Sequence, residues 1–494
     1  MLLFWPLVIP FLTMVATLLA WRSIPAQRAL SLLGALALLG VALVILARVI
    51  ATGPFAEQAG AWPAPFGITM VADGLSAIMV ALTGVVAVAV AIHGAADVRE
   101  GEAASGHFPL ANALLAGVCG AFLTGDLFNM YVWFEVMLIS SFGLLVIGGS
   151  KAALDGATKY VGLNLIATVA FISGVGLLYG TTGALNMADL HARLAGRGGE
   201  TAVLMATAFL IFAFGAKAAL FPLHFWLPAS YHTPSFTTSA LFAALLSKVG
   251  VYALLRYFTL ILPIDGTPAQ SVLLWAAGLT MIAGALGALA QVSIRRVFNY
   301  SILSSVGAMV LGLAIGTPLA IAGAVFYLAQ DVIVKANLYL VAGSARRLAG
   351  SEDFAEAGGL WRARPLFGIL FLIPALSLAG VPPFAGFWGK LLLTQASLGA
   401  GGYWSAALIL GTGLLTLLAM ARVWAEVFWK SHPEGDAAVT ARLPLAIWGP
   451  PAALSLLLVA AGVFAAPGIE AASAVAAGLL DPSAYLAAVL GPRP

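Results

Sequence analysis

Charge is scarce in this sequence. Asp, Glu, Lys and Arg make up 9% of 494 residues, against 62% hydrophobic residues and a mean hydropathy of +1.03. A water-soluble domain of that length cannot cover its surface with so few charges, so the solvent around the chain is largely lipid. Cysteine is almost missing, and the single Cys119 excludes a disulfide within the chain and a cysteine-ligated cluster. The six histidines are scattered and form no metal motif, and no cofactor is read. A formal charge of +3 implies nothing about nucleic acid. No Lys or Arg precedes the first apolar run, so a secretory leader is not expected and the first helix is retained.

Long apolar runs are what the chain has in abundance. A hydrocarbon core of roughly 30 Å needs about 20 such residues per helix. Fourteen spans are read: Leu2 to Ala20, Gln27 to Ile50, Ala72 to Gly94, Pro109 to Thr124, Asp126 to Gly148, Tyr160 to Gly180 and Thr201 to Pro222 make the first seven. Ser235 to Leu262, Gln270 to Ala290, Phe298 to Gly316, Pro318 to Gly343, Leu366 to Leu398, Trp404 to Trp429 and Pro444 to Ala466 complete the series. The expected fold is an all-α integral membrane protein. The stretch Ala471 to Leu490, broken by Asp481 and Pro482, is expected to be a surface helix or a loose tail.

An outside N-terminus puts thirteen basic residues on the cytoplasmic side: Arg22, Arg28, Arg99, Lys151, Lys159, Arg295, Arg296, Arg346, Arg347, Arg362, Arg364, Lys430 and Arg442. Only Arg193, Arg197 and Arg493 then fall outside, as the positive-inside rule expects. Both termini are therefore placed outside a plasma (cell inner) membrane. Arg48, Arg256 and Arg422 lie near enough to helix ends to snorkel.

Lys217, Lys248, Lys335, Lys390 and Glu135 are harder to rescue. A central charge costs roughly 2.5 to 3.5 kcal/mol on the insertion scale, so five idle ones would cost on the order of 10 kcal/mol. Each could be a bundle-facing ion pair that only fixes packing, but the chain has more buried cations than carboxylates to pair them. Lys217 lies just before Phe221-Pro222-Leu223-His224-Phe225-Trp226-Leu227-Pro228, where two prolines remove backbone donors and interrupt the helix. Lys390 follows Gly380-Val381-Pro382-Pro383-Phe384-Ala385-Gly386-Phe387-Trp388-Gly389, a second break beside a lysine. Broken spans at corresponding places in two halves point to inverted-repeat transporters with sites near the midplane.

On these residues the sequence resembles the antiporter-like subunits shared by respiratory complex I and the Mrp (multiple resistance and pH) cation/proton antiporters. The best-matched stretches are Asp126 to Glu135 (DLFNMYVWFE), the segment ending at Pro228, Ser247-Lys248-Val249-Gly250-Val251-Tyr252 and Gly386-Phe387-Trp388-Gly389-Lys390. The helix-five wording and the length are most similar to the D-type subunit of the Mrp branch. The resemblance implies two inverted five-helix repeats with helices 7 and 12 broken. Residues 1–108 would be leading helices, 109–262 the first repeat, 263–430 the second, and 431–494 helix 14 and a tail. It implies that Glu135 pairs with Lys217 and that Lys248 and Lys390 continue the row. Where relatives often carry histidine, this chain has Gln330 and Asp331, so Asp331 and Lys335 either relay protons or form an ion pair one turn apart.

Burial and a facing carboxylate act oppositely on a lysine's hold on its proton, which makes such a group switchable. The expected route runs from Glu135 and Lys217 to Lys248 and on toward Asp331, Lys335 and Lys390. His224 and His232 either feed it or are loop histidines bonded to backbone. The expected activity is proton translocation in a multi-subunit, Na⁺/H⁺-type antiporter rather than an enzyme, with other membrane subunits and lipid as partners. The alternative is a non-redox, proton-pumping subunit of complex I or of a membrane-bound hydrogenase.

Overall fold

The computed structural model describes residues 1–435, 439 and 443–491; Arg442 and Arg493 of the charge count lie outside that set. Each of the fourteen stretches is helical. They are α1 (Trp5–Leu19), α2 (Ile24–Thr52), α3 (Gly74–Asp97), α4 (His107–Leu123), α5 (Leu127–Val146), α6 (Lys151–Thr182) and α7 (Thr201–Ala218). There follow α8 (Phe236–Arg256), α9 (Pro268–Leu289), α10 (Ile294–Ile315), α11 (Pro318–Ala349), α12 in two halves (Pro365–Ala379 and Ala385–Gly399), α13 (Tyr403–Val423) and α14 (Leu445–Val463). Eleven helices of the described residues are long and apolar enough to cross a membrane, α8 and α13 being continued by one π turn each. α1, α4 and the halves of α12 are shorter, at 15, 17, 15 and 15 residues.

Local chemistry sets the helix ends. Asp73 caps α3 by accepting from the Ser76 backbone N–H at 2.9 Å, while the Ser76 hydroxyl accepts from the Asp73 N–H at 2.9 Å. Asp126 caps α5 through the Asn129 N–H at 2.7 Å, and Ser150, Ser235 and Thr317 cap α6, α8 and α11. α6 begins nine residues before the apolar run, because Lys151, Asp155 and Lys159 give its first two turns an exposed charged edge, with Lys159 and Asp155 paired at 2.6 Å. Hydropathy marks the lipid-facing part of a helix and not its whole length.

The bundle centres on α11. It packs against α3, α8, α10, the second half of α12 and α14. Every residue of α8 is buried. An antiparallel hairpin, β1 (Phe55–Gln58) with β2 (Thr69–Ala72) in the register Phe55 to Ala72, joins α2 to α3 and departs from the all-α expectation. The N-terminal amine lies 3.2 Å from Glu57 of that hairpin.

The last stretch is not a loose tail. It forms α15 (Ala465–Leu480) and α16 (Ser483–Leu490), bent by 66° at Asp481 and Pro482. α15 packs on α3 and α11, and α16 packs on β1, so the N-terminal amine and α16 meet at the hairpin end of the bundle. There Arg256 departs from the snorkelling expectation: it is 3% exposed and grips Asp73 with two bonds of 2.6 and 2.9 Å. Tyr252 adds a bond of 3.0 Å to the guanidinium, and the Tyr485 ring of α16 lies 5.3 Å from it. Arg48 does reach an exposed position over the Phe55 ring, and Arg422 bonds the Leu289 carbonyl.

Candidate functional site

Lys248, Asp331 and Lys335 sit where α8 crosses α11, and all three side chains are 0% exposed. The Lys248 ammonium is 2.8 Å from Asp331 Oδ2 and also donates to the Ala243 carbonyl at 2.7 Å. Lys335, one helical turn along α11, lies 3.8 Å from Asp331 Oδ1 and donates to Ser301 Oγ of α10 at 2.8 Å. One carboxylate thus faces two ammonium groups. It can balance only one of them, which leaves one buried ammonium without a full counter-charge.

Ser301 carries the polar track onward. With Ser304, Ser305, Tyr327 and Thr412 it borders a small void of about 10 Å³ on which Lys390 also opens. Lys390 is held by the break in α12. A helix end leaves carbonyls without intrahelical donors and a partial negative charge. The Lys390 ammonium takes two of them, Leu378 O at 2.9 Å and Ala379 O at 2.8 Å. Gly380 closes that half-helix at φ +87°, and a β-carbon on it would stand 2.7 Å from Lys390 Cδ. The prolines of this break, Pro382 and Pro383, lie between the two halves.

The other end of the row is looser. α7 stops at Ala218; Ala219 adopts a left-handed conformation at φ +62°, and Pro222 follows. The Ala216 carbonyl accepts from the Ala219 N–H at 3.1 Å and from the Trp226 indole at 3.0 Å, and the short helix Trp226–Ser230, with Pro228 inside it, restarts the chain. Lys217 is half-buried. Its ammonium lies 5.8 Å from the centre of the Phe134 ring and faces a void of about 20 Å³ shared with Tyr160, Asn164 and Trp226. Gly250 lets α7 approach α8 there, since a β-carbon would meet the Ala218 Cα at 2.8 Å.

Glu135 is not in direct contact with Lys217. Its carboxylate is half-exposed and accepts a bond of 2.6 Å from the Thr168 hydroxyl of α6. Around it the outer face of α5 and α6 is apolar, with Ile139, Ile166 and Val169 exposed.

His224 stacks on Phe221 at 5.6 Å, with Nδ1 unpartnered among the described residues. His232 donates from Nδ1 to Pro228 O at 3.0 Å and accepts at Nε2 from Arg296 at 3.4 Å, the backbone-bonded arrangement of a loop histidine. Burial first, and then the Arg296 guanidinium, hold its pKa below the usual range. Gln330 accepts from Ser377 at 3.4 Å, with its amide nitrogen unpartnered among the described residues.

Sequence reasoning missed that Lys248 is the close partner of Asp331, that Ser301 links Lys335 to the Lys390 void, and that Asp73 anchors Arg256. Each contact joins distant helices, and no local pattern reports it.

The chain is similar to known proteins over nearly its whole length. The chain is 41% identical to the D-type subunit of the Na(+)/H(+) antiporter of Alkalihalophilus pseudofirmus, over 98% of each chain. Among solved structures it superposes on a chain of the Mrp complex from Dietzia sp. DQ12-45-1b with a TM-score of 0.90 and 31% identity, over 99% of each chain. A chain of the archaeal membrane-bound sulfane sulfur reductase, a respiratory membrane complex, gives a TM-score of 0.90 at 28% identity, also over 99% of each. Residues 124–416, which carry all the lysines and carboxylates of the row, match the family described as NADH:quinone oxidoreductase/Mrp antiporter, transmembrane, and the chain belongs to that family.

Proposed function

We propose that this chain is the proton-translocating subunit of a multi-subunit Na⁺/H⁺ antiporter. The observation that carries the reading is the interior track Lys248, Asp331, Lys335, Ser301 and Lys390, in which consecutive groups touch or share a void. Such a row costs several kcal/mol per unbalanced charge in lipid and persists for use. The antiporter name of the bacterial relative and the Mrp complex of the structural neighbour supply the cation half of the reading.

In this reading a proton on Lys217 passes through the void beside α8 to Lys248, and Asp331 and Lys335 hand it to Lys390. Glu135 acts on Lys217 across the Phe134 ring and not by a direct bond. His224 and His232 lie beside the entry. Glu135 faces outward on an apolar surface, the position of a carboxylate that a neighbouring membrane subunit covers. All fourteen segments cross the plasma membrane, with both termini outside and with two inverted five-helix repeats, 109–262 and 263–430, between the leading helices 1–108 and the segment 431–494.

Measurement of Na⁺-driven dissipation of a pH gradient in everted vesicles containing the whole complex tests the assignment. Alanine at Glu135 or Lys217 is expected to abolish exchange while the protein stays in the membrane. Near-normal exchange in either variant overturns these roles. The likeness to the respiratory reductase favours a second reading, a proton pump driven by redox partners. Purification with bound subunits separates the two: flavin and iron-sulfur partners would support the pump.

A further inference from the structure

His93 occupies the penultimate turn of α3, is 0% exposed, and belongs to none of the groups used above. Its Nδ1 is 2.9 Å from the Thr237 hydroxyl at the start of α8. That hydroxyl donates to Asp97 Oδ2 at 2.8 Å, and the Thr237 backbone N–H donates to the same oxygen at 3.1 Å. A hydroxyl has one proton to give, and here it is committed to Asp97. Thr237 can therefore only accept from His93, so Nδ1 carries the hydrogen and Nε2 keeps the lone pair. Nε2 is buried with no hydrogen-bond partner among the described residues. A histidine retained for packing is expected to have both nitrogens bonded.

We propose that His93 is a further proton-accepting residue of this subunit, backed by Asp97 through Thr237 and serving the end of the bundle opposite the hairpin. The inference rests on the proton-transport reading above. One proton arrives on Nε2; the Nδ1 proton passes to the Thr237 oxygen as the hydroxyl proton passes to Asp97, which releases it at the bundle edge and leaves the ring with its hydrogen on Nε2. The reverse sequence loads the site. Only N–H and O–H bonds change, and one proton enters for each that leaves. Asp97 is 9% exposed, and Arg347, its 3.4 Å partner from α11, is 37% exposed, so the outer end of the relay borders solvent.

The surrounding charges are few. Arg347 also bonds Ala96 O at 2.6 Å, and Asp97 Oδ2 lies 4.0 Å from His93 Nδ1. His107 from α4 and Glu102 from the short helix Glu100–Ala104 lie within electrostatic reach of Asp97. Arg28 of α2 bonds Val98 O at 3.4 Å, α14 brings no charge, and α15 meets α3 at the other end, against Gly74. Along α8, Thr237 and Lys248 stand eleven residues apart, three turns and about 16 Å, so they share a face. Leu241 lies between them and borders a cavity of about 30 Å³ reaching His107 and Asn112, room for an ordered water.

The test uses the whole complex in everted vesicles. His93→Asn keeps an N–H near the Nδ1 position and removes the Nε2 base; Thr237→Val cuts the relay and leaves the imidazole. Both are expected to assemble, to lose about a hundredfold in exchange rate and to flatten the same limb of the rate–pH profile. If His93→Asn fails to assemble, the Thr237→Val profile decides. A profile and rate matching wild type in the assembled variant overturn the proposal. Lys248→Ala serves as the control: if it abolishes exchange while His93→Asn does nothing, only this inference falls, and if it too is without effect, the parent reading falls.

Discussion

Asp331→Asn is the sharpest perturbation of the row, because it removes one charge and almost no volume. The carboxylate faces Lys248 at 2.8 Å and Lys335 at 3.8 Å. With an effective dielectric constant of about 20, these contacts attract by ~6 and ~4 kcal/mol. Desolvation of the carboxylate offsets much of that, and removing one partner from a buried pair costs about 3–5 kcal/mol net. The variant is therefore expected to reach the membrane in reduced amount and to show no exchange per molecule. Sodium-induced recovery of a quenched pH-gradient dye in everted vesicles, normalised to protein abundance by immunoblot, measures both effects. Adding Lys335→Gln should restore abundance by removing an unbalanced ammonium, but not exchange. An Asp331→Asn protein that exchanges at the wild-type rate across the pH range would refute the reasoning, since the lysines would then need no shared counter-charge.

Lys390→Ala is expected to lose most exchange and Lys390→Arg to retain part, because a guanidinium can still reach the half-helix carbonyls; equal rates for all three proteins would make the residue structural. Gly380→Ala should resemble Lys390→Ala in the same vesicle assay, as the added carbon displaces the lysine stem and strains the left-handed backbone. Arg256→Met should lower the melting temperature of the purified complex, reflecting a loss of about 3–5 kcal/mol from the orphaned Asp73, and Asp73→Asn/Arg256→Met should recover part of it. His232 has a folded-state pKa below that of the unfolded chain. Its neutral form therefore adds stability that is complete above about pH 6.5 and is lost as pH falls toward the folded value. His232→Gln should accordingly narrow the gap between melting temperatures at neutral and mildly acidic pH, and an unchanged gap would exclude that role.

The sequence carried the helices well because lipid imposes a coarse rule, a run of apolar residues per crossing. It also flagged every lysine of the row, since an ammonium group in such a run is conspicuous. What it could not carry was partnership. Lys248 meets Asp331 through the crossing of two separate helices, and nothing near either residue reports that crossing. Arg256 looked like a helix-end cation able to reach the surface, yet its partner is the N-cap of α3. The hairpin escaped because its strands have four residues each and a long connection, with no tight-turn signature. Glu135 and Lys217 show the converse: the motifs named both, while their separation depends on rotations of α5 and α7 that motifs do not encode.

α3 is fastened to α8 twice, Asp73 to Arg256 at one end and Asp97 to Thr237 at the other. A rod tethered at both ends can neither slide nor tilt against its neighbour without breaking a buried contact. Lys248 rides on that neighbour, so its position relative to α3 is set from both ends. Proton transfer as proposed would then resemble conduction along a wire more than the swinging of a gate.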